Sequence, residues 1–215
     1  DFGLEDYANV KPLTPIETAN WRETILRTRD WMRARHGSYV FTVAPDKHVV
    51  YPEAFPATVR QLGQTSRTDQ LVAAASGSGV LVDIRPAVFQ AKARERVYQR
   101  TDTHWNDLGA FAAYERIVTA VRLANAAVPP PWQRADFDVI SQTVPAMDLA
   151  AMIGLKRALQ EEDLQLVPKR PRLARVVAPP GALPLSEVGE LVTEIPGSSL
   201  PRALQSVRAV AGEII

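Results

Sequence analysis

The chain has 215 residues, of which 46% are hydrophobic and 23% charged, ordinary globular values for a length that suits one domain better than two. Its 25 basic and 24 acidic side chains leave a net charge of +1, which gives no ground for a nucleic-acid partner or an anionic membrane surface. The absence of cysteine excludes a disulfide framework, thiolate metal sites and cysteine nucleophiles, and leaves the compartment open.

Thr14-Pro15-Ile16-Glu17 reads as a helix start, with proline in the first turn and a carboxylate near the positive end. Trp21, Ile25, Trp31 and Met32 recur on one face of that helix, which places both tryptophans in the core, and Gly37 closes it after His36, a cation suited to a helix end. Tyr39 to Ala44 is an apolar run bounded by turn residues and predicts a strand buried on both faces, followed by the loop Pro45-Asp46-Lys47-His48. Residues 67–75 predict a helix ending at Ser76-Gly77-Ser78-Gly79. Val80-Leu81-Val82 predicts a second buried strand with Asp83 at its carboxyl end, and 86–97 another helix. Asn106 is the expected N-cap of a strong helix with Leu108, Phe111, Ile117, Val118 and Val121 on its apolar stripe. Beyond the prolines at 129–131 come an extended stretch at 135–144, a short helix at 148–159 and two or three strands to 195. Strands alternating with helices over the first 125 residues predict a parallel sheet covered on both faces. No apolar run approaches the roughly 20 residues of a membrane helix. The start at Asp1 implies either a removed leader or an internal piece.

The segment Arg100-Thr101-Asp102-Thr103-His104-Trp105 is the leading candidate for chemistry. Asp102 and His104 are two apart, so an extended or turn backbone sends both side chains out on one side. A carboxylate there accepts the Nδ1 proton of the imidazole and leaves Nε2 as a base. Asp-x-His is a common spacing, however, and on spacing alone a capping Asp with a packed His is the better explanation.

Four stretches turn that balance. Val43-Ala44-Pro45-Asp46-Lys47 with Tyr51-Pro52-Glu53, Leu81 to Arg85, Thr101 to Asn106 with Gly109 and Tyr114, and Asp148-Leu149-Ala150 with Met152-Ile153-Gly154 resemble, in order and spacing, the AlgX/AlgJ-like alginate O-acetyltransferase family. Met147 stands where members usually have glycine. The resemblance runs from residue 21 to about 204 and implies an SGNH-hydrolase-like domain: three-layer α/β/α, with a mainly parallel sheet. It further implies an Asp, His, Ser triad in that chain order, with Asp102 orienting the ring and His104 as general base. An acetyl-serine would pass its acetyl group to a sugar hydroxyl of alginate or a similar exopolysaccharide, in the periplasm, with a membrane-bound acyltransferase as donor and no cofactor.

In that family the serine lies in an Asp-Ser-Phe turn after a Leu-Pro-Arg-Ala-Leu stretch. Here Leu200 to Leu204 matches the lead-in, but Gln205-Ser206-Val207-Arg208-Ala209 follows, with Ala209 near the expected nucleophile position. Val207 to Gly212 can be encoded by DNA that reads Phe-Gly-Gln-Ser-Leu one base later, so a frameshift is the expectation, with truncation or divergence as alternatives. The domain is then incomplete at its C-terminus and this chain inactive as written. Two rival functions stand beside the transferase: a degenerate domain that binds polysaccharide or a secretion complex, and an SGNH acetylesterase that hydrolyses.

Other candidates carry two readings each. Lys47 and His48 are solvated surface or border a sugar groove; Asp83 caps the next turn or faces the cleft; Trp105 stacks on a sugar ring or packs under His104. The basic residues between Lys156 and Arg175 form a solvated face or meet an anionic polymer. Ser76 to Gly79 precedes a strand and is no phosphate cradle. Three scattered histidines give no metal-ligand spacing.

Overall fold

The computed structural model describes residues 2–170 together with two short strands, Arg175–Val176 and Thr193–Glu194. In chain order the helices are α1 (Phe2–Tyr7), α2 (Pro15–Arg33), α3 (Lys47–Val50), α4 (Arg67–Ala74), α5 (Arg85–Lys92), α6 (Asp107–Ala124) and α7 (Asp148–Met152). The strands are β1 (Phe137–Pro145), β2 (Gln160–Pro168), β3 (Arg175–Val176) and β4 (Thr193–Glu194).

The helix starts follow local chemistry. Thr14 caps α2 and Ser66 caps α4, each with a reciprocal box completed by Glu17 and Asp69, so that two otherwise orphaned amides are satisfied at each end. Asn106 caps α6 by accepting from the amides of Leu108 and Gly109, 3.1 Å each. β1 and β2 pair antiparallel from Phe137 opposite Pro168 to Pro145 opposite Gln160, and α7 lies in their connection. β3 and β4 pair antiparallel as well.

Several expectations change. The run 39–44 is only half-buried, with Ala44 exposed, whereas Val80 and Val82 are buried as expected, and the two runs touch through one parallel bridge, Phe41 to Leu81. The amide of Phe41 donates to Val80 O at 2.8 Å and that of Val82 to Phe41 O at 2.9 Å. Among the described residues this bridge is all the parallel pairing there is. The expected loop at 45–48 turns into α3 at Lys47, and the expected helix over 86–97 ends at Lys92. Trp21 and Trp31 are not core: they are 43% and 56% exposed, and Ile25 alone is buried on α2. The physical reason is that periodicity shows which residues share a face but not whether another element covers it.

Four buried clusters organise the interior. One joins Val50, Val88, Ala91, Val97, Tyr98 and Ala112, and so packs α3, α5 and α6 beneath residues 97–105. A second joins Val82, Ile84 and Ala113. Trp105 packs against both. Leu108 and Phe111 of α6 close on Leu166 of β2. The chemistry-bearing segment therefore rests on core from below.

Candidate functional site

Residues 97–106 fold back on themselves. Tyr98 and Trp105 form an antiparallel bridge, the Gln99 amide donates to His104 O at 3.2 Å, and the Asn106 amide donates to Val97 O at 3.1 Å. The first turn of α6 lies directly on this hairpin-like segment: a Cβ on Gly109 would meet Val97 O at 2.3 Å, so only glycine fits. The tip, residues 100–104, presents Asp102 and His104.

Asp102 Oδ1 lies 2.6 Å from His104 Nδ1 and also accepts the His104 amide at 2.9 Å. The carboxylate is sheltered, with its side chain 15% exposed, whereas the imidazole is 69% exposed. An orienting acid held inside and a ring turned outward is the geometry a general base requires.

Three charged groups from elsewhere hold the tip. Thr101 donates its amide and hydroxyl to Glu161 Oε2 at 2.6 and 2.7 Å. Thr103 does the same to Asp148, its amide to Oδ1 at 2.9 Å and its hydroxyl to Oδ2 at 2.6 Å. Lys47 Nζ donates to the carbonyls of Arg100 and Asp102 at 2.9 and 2.8 Å. The two threonines thus take opposite anchors and leave Asp102 and His104 to face each other. Thr101 Oγ1 also accepts from the Met147 amide at 3.1 Å, which ties α7 to the tip.

Electrostatics follow from these contacts. Burial works against a charged Glu161, but the hydroxyl and amide of Thr101, the Arg100 amide and the Arg96 guanidinium outweigh it and hold the carboxyl below its usual range. Asp148 is likewise pushed up by burial and brought lower overall by Thr103, the Leu149 amide and the charge of His104. Burial lowers the Lys47 pKa despite the surrounding carboxylates. Ligand-type atoms of Asp102, His104 and Asp148 lie within 4.8 Å of one another, as do those of Asp6, Asp46 and His48. In the first group the hydrogen bond between Asp102 and His104, and the bonds of Asp148 to the intervening Thr103, account for that closeness.

The sequence candidates therefore separate. Asp102, His104 and Lys47 come together, with Lys47 spent on loop carbonyls. Trp105 packs against two of the buried clusters described above. Asp83 is engaged elsewhere: it accepts the Arg85 amide at 3.0 Å and pairs with its guanidinium at 2.8 Å, while Asp69 takes the same arginine at 2.6 Å. His48 faces Asp6 at 3.3 Å. His36 adopts a left-handed φ of 57° past the end of α2. Residues 195–215, where the nucleophile was expected, lie outside the described residues. Glu161 was not anticipated at all. Its only sequence signal is its place in an acidic run at 161–163.

A profile of the SGNH hydrolase-like domain of the acetyltransferase AlgX matches residues 5–183. The chain belongs to this family. Relatives of the AlgX family agree. The chain is 33% identical over 98 residues to the probable alginate O-acetylase AlgJ of Pseudomonas putida KT2440, a stretch covering 43% of this chain and 24% of that protein. It is similar to the solved O-acetyltransferase domain of P. putida AlgJ, with a TM-score of 0.52 and 26% identity over 77% of this chain and 62% of that one. Bacillus cereus PatB1 carrying a sulfonyl adduct shares the fold, with a TM-score of 0.55 at 15% identity over 71% of this chain and 49% of that one. The chain thus spans less than two thirds of the length of each of these proteins. Within the described residues no helix is long and apolar enough to cross a membrane.

Proposed function

We propose that this chain carries the Asp–His half of an acetyl-transfer site, acting on alginate or a similar exopolysaccharide. The observation that carries the reading is the 2.6 Å contact between a sheltered Asp102 carboxylate and an exposed His104 ring in a member of an acetyltransferase family. Asp102 holds the Nδ1 proton and steadies the imidazolium. His104 Nε2 takes the proton of a serine hydroxyl as its oxygen attacks the donor's acetyl carbonyl, and returns it to the leaving donor oxygen when the tetrahedral intermediate collapses. A sugar hydroxyl then attacks the acetyl-serine. His104 removes that proton and gives it to the departing serine oxygen, so acetyl is transferred and the enzyme restored.

The resemblance puts the serine after Leu204, where this sequence reads Gln205-Ser206-Val207. The chain as written is then inactive, and a copy whose frame continues into Asp-Ser-Phe is the active form. The same reading places the reaction in the periplasm, with acetyl arriving through a membrane-bound acyltransferase. It gives the complete domain three α/β/α layers around a mainly parallel sheet, which the Phe41–Leu81 bridge and the likeness to the AlgJ domain support. The missing Asp-Ser-Phe favours a second reading, a binding domain without turnover. Oligouronate binding by calorimetry without any acetyl turnover in the serine-complete form would select it.

The test is acetyl transfer to oligouronate by the serine-complete chain, read by mass spectrometry with an activated acetyl ester as donor. His104→Ala should lower the rate by about three to four orders of magnitude. Near-full activity in that variant overturns the assignment. Release of acetate to water without incorporation makes the protein an esterase instead.

A further inference from the structure

The surroundings of His104 Nδ1 are more constrained than a simple acid–imidazole pair requires. Besides Asp102 Oδ1 at 2.6 Å, Nδ1 has the Thr103 hydroxyl at 3.3 Å. That hydroxyl owns one proton and two lone pairs. Its shortest contact by far is Asp148 Oδ2 at 2.6 Å, against 3.5 Å to Asp102 Oδ1. An ionised carboxylate can only accept, and the contacts described above hold Asp148 in that form. The Thr103 proton is therefore committed to Asp148. The Thr103 amide, donating to Asp148 Oδ1 at 2.9 Å, stops the residue from turning away.

The oxygen that faces Nδ1 is then an acceptor, as is Asp102. A ring nitrogen between two acceptors has to carry the proton itself, which leaves the lone pair of the neutral imidazole on Nε2. With Asp148 absent, the Thr103 hydroxyl is able to turn its proton to Nδ1 and favour the opposite tautomer, which has no base at Nε2.

We propose that Asp148 is a positioning residue that fixes the tautomer of His104 through the Thr103 hydroxyl. The inference deepens the acetyl-transfer reading above and rests on it for its catalytic meaning. It uses a residue distant in sequence and a threonine whose hydroxyl is held by that residue.

The test needs no nucleophile and uses the chain as it stands. Long-range proton–nitrogen NMR on histidine-labelled protein, at a pH where the ring is neutral, reads which nitrogen bears the proton; His104→Ala identifies the signal. The parent should show a protonated Nδ1 and a lone-pair Nε2. Asp148→Asn should raise the opposite tautomer at least tenfold, because the freed Thr103 hydroxyl is then able to donate to Nδ1. Thr103→Val, which removes that hydroxyl and leaves Asp102 as the acceptor at Nδ1, should keep the parent pattern, and adding it to Asp148→Asn should restore that pattern. Thr103→Ser should keep the parent pattern as well. A parent protonated on Nε2, an unchanged tautomer in Asp148→Asn, or an Asp148→Asn effect that survives Thr103→Val overturns the proposal. If Asp148→Asn fails to fold, Asp148→Ala with and without Thr103→Val decides in its place. Acetyl transfer plays no part in this readout, so failure of the transferase reading is separately visible.

Discussion

Glu161 shows how much one side chain carries. Its carboxylate has no solvent exposure, yet it accepts Thr101 twice and pairs with Arg96 Nη1 at 2.8 Å. Removing one partner of such a buried pair leaves the other desolvated and uncompensated. Glu161→Gln should therefore cost about 3–5 kcal/mol in urea unfolding. The pH dependence has a definite sign. The folded pKa of Glu161 is depressed, so its contribution is complete above the ordinary carboxylate value of about 4.3 and is lost as pH falls through the folded value. Urea midpoints should fall as the pH drops below about 4, and less steeply in Glu161→Gln than in the parent.

At the scale of elements, the start of α6 joins local propensity to the site. Asn106 accepts two helix amides and donates from Nδ2 to Arg96 O at 2.7 Å, so one side chain caps the helix and pins the segment before it. Asn106→Ala should cost about 1–2 kcal/mol in thermal or urea unfolding. Gly109→Ala meets backbone at Val97 O and the Trp105 Cβ at 3.0 Å, neither of which can yield easily. A loss of about 1–3 kcal/mol is expected, with the tip of 100–104 loosened in hydrogen exchange. This helix was legible in the sequence because a cap, an acidic first turn and an apolar stripe all lie within one continuous segment. Val80 and Val82 are buried as the sequence suggested, whereas the run 39–44 was legible as extended but not as half-buried, because its apolarity says nothing about how many neighbours pair with it. The tryptophans of α2 misled for the same reason.

Across the whole molecule, the tip at 100–104 is held from both ends of the chain. Lys47 arrives on α3, Asp148 on α7 and Glu161 on β2. The order of this segment thus depends on elements folded before and after it. Lys47→Met would keep the aliphatic stem while leaving the carbonyls of Arg100 and Asp102 without their donor. Amides of 100–104 should then exchange faster, by roughly tenfold or more for each 1.4 kcal/mol lost, while those of the α2 interior stay unchanged. Uniform protection throughout would remove Lys47 from this role.

The sequence by itself determined the starts of α2, α4 and α6, the place of the Asp-x-His pair and, through four spaced stretches, the AlgX-like resemblance. Each of these is written in neighbouring residues, where backbone geometry and capping act over a few positions. Only the tertiary structure decided which groups surround that pair. Thr101 and Thr103 read as bland residues of a loop until Glu161 and Asp148 are seen to hold them, and Lys47 reads as a surface cation until its ammonium reaches two carbonyls. Hydrogen bonds between residues far apart in the chain have no fixed spacing to announce them, so folding alone brings the pair and its supports together.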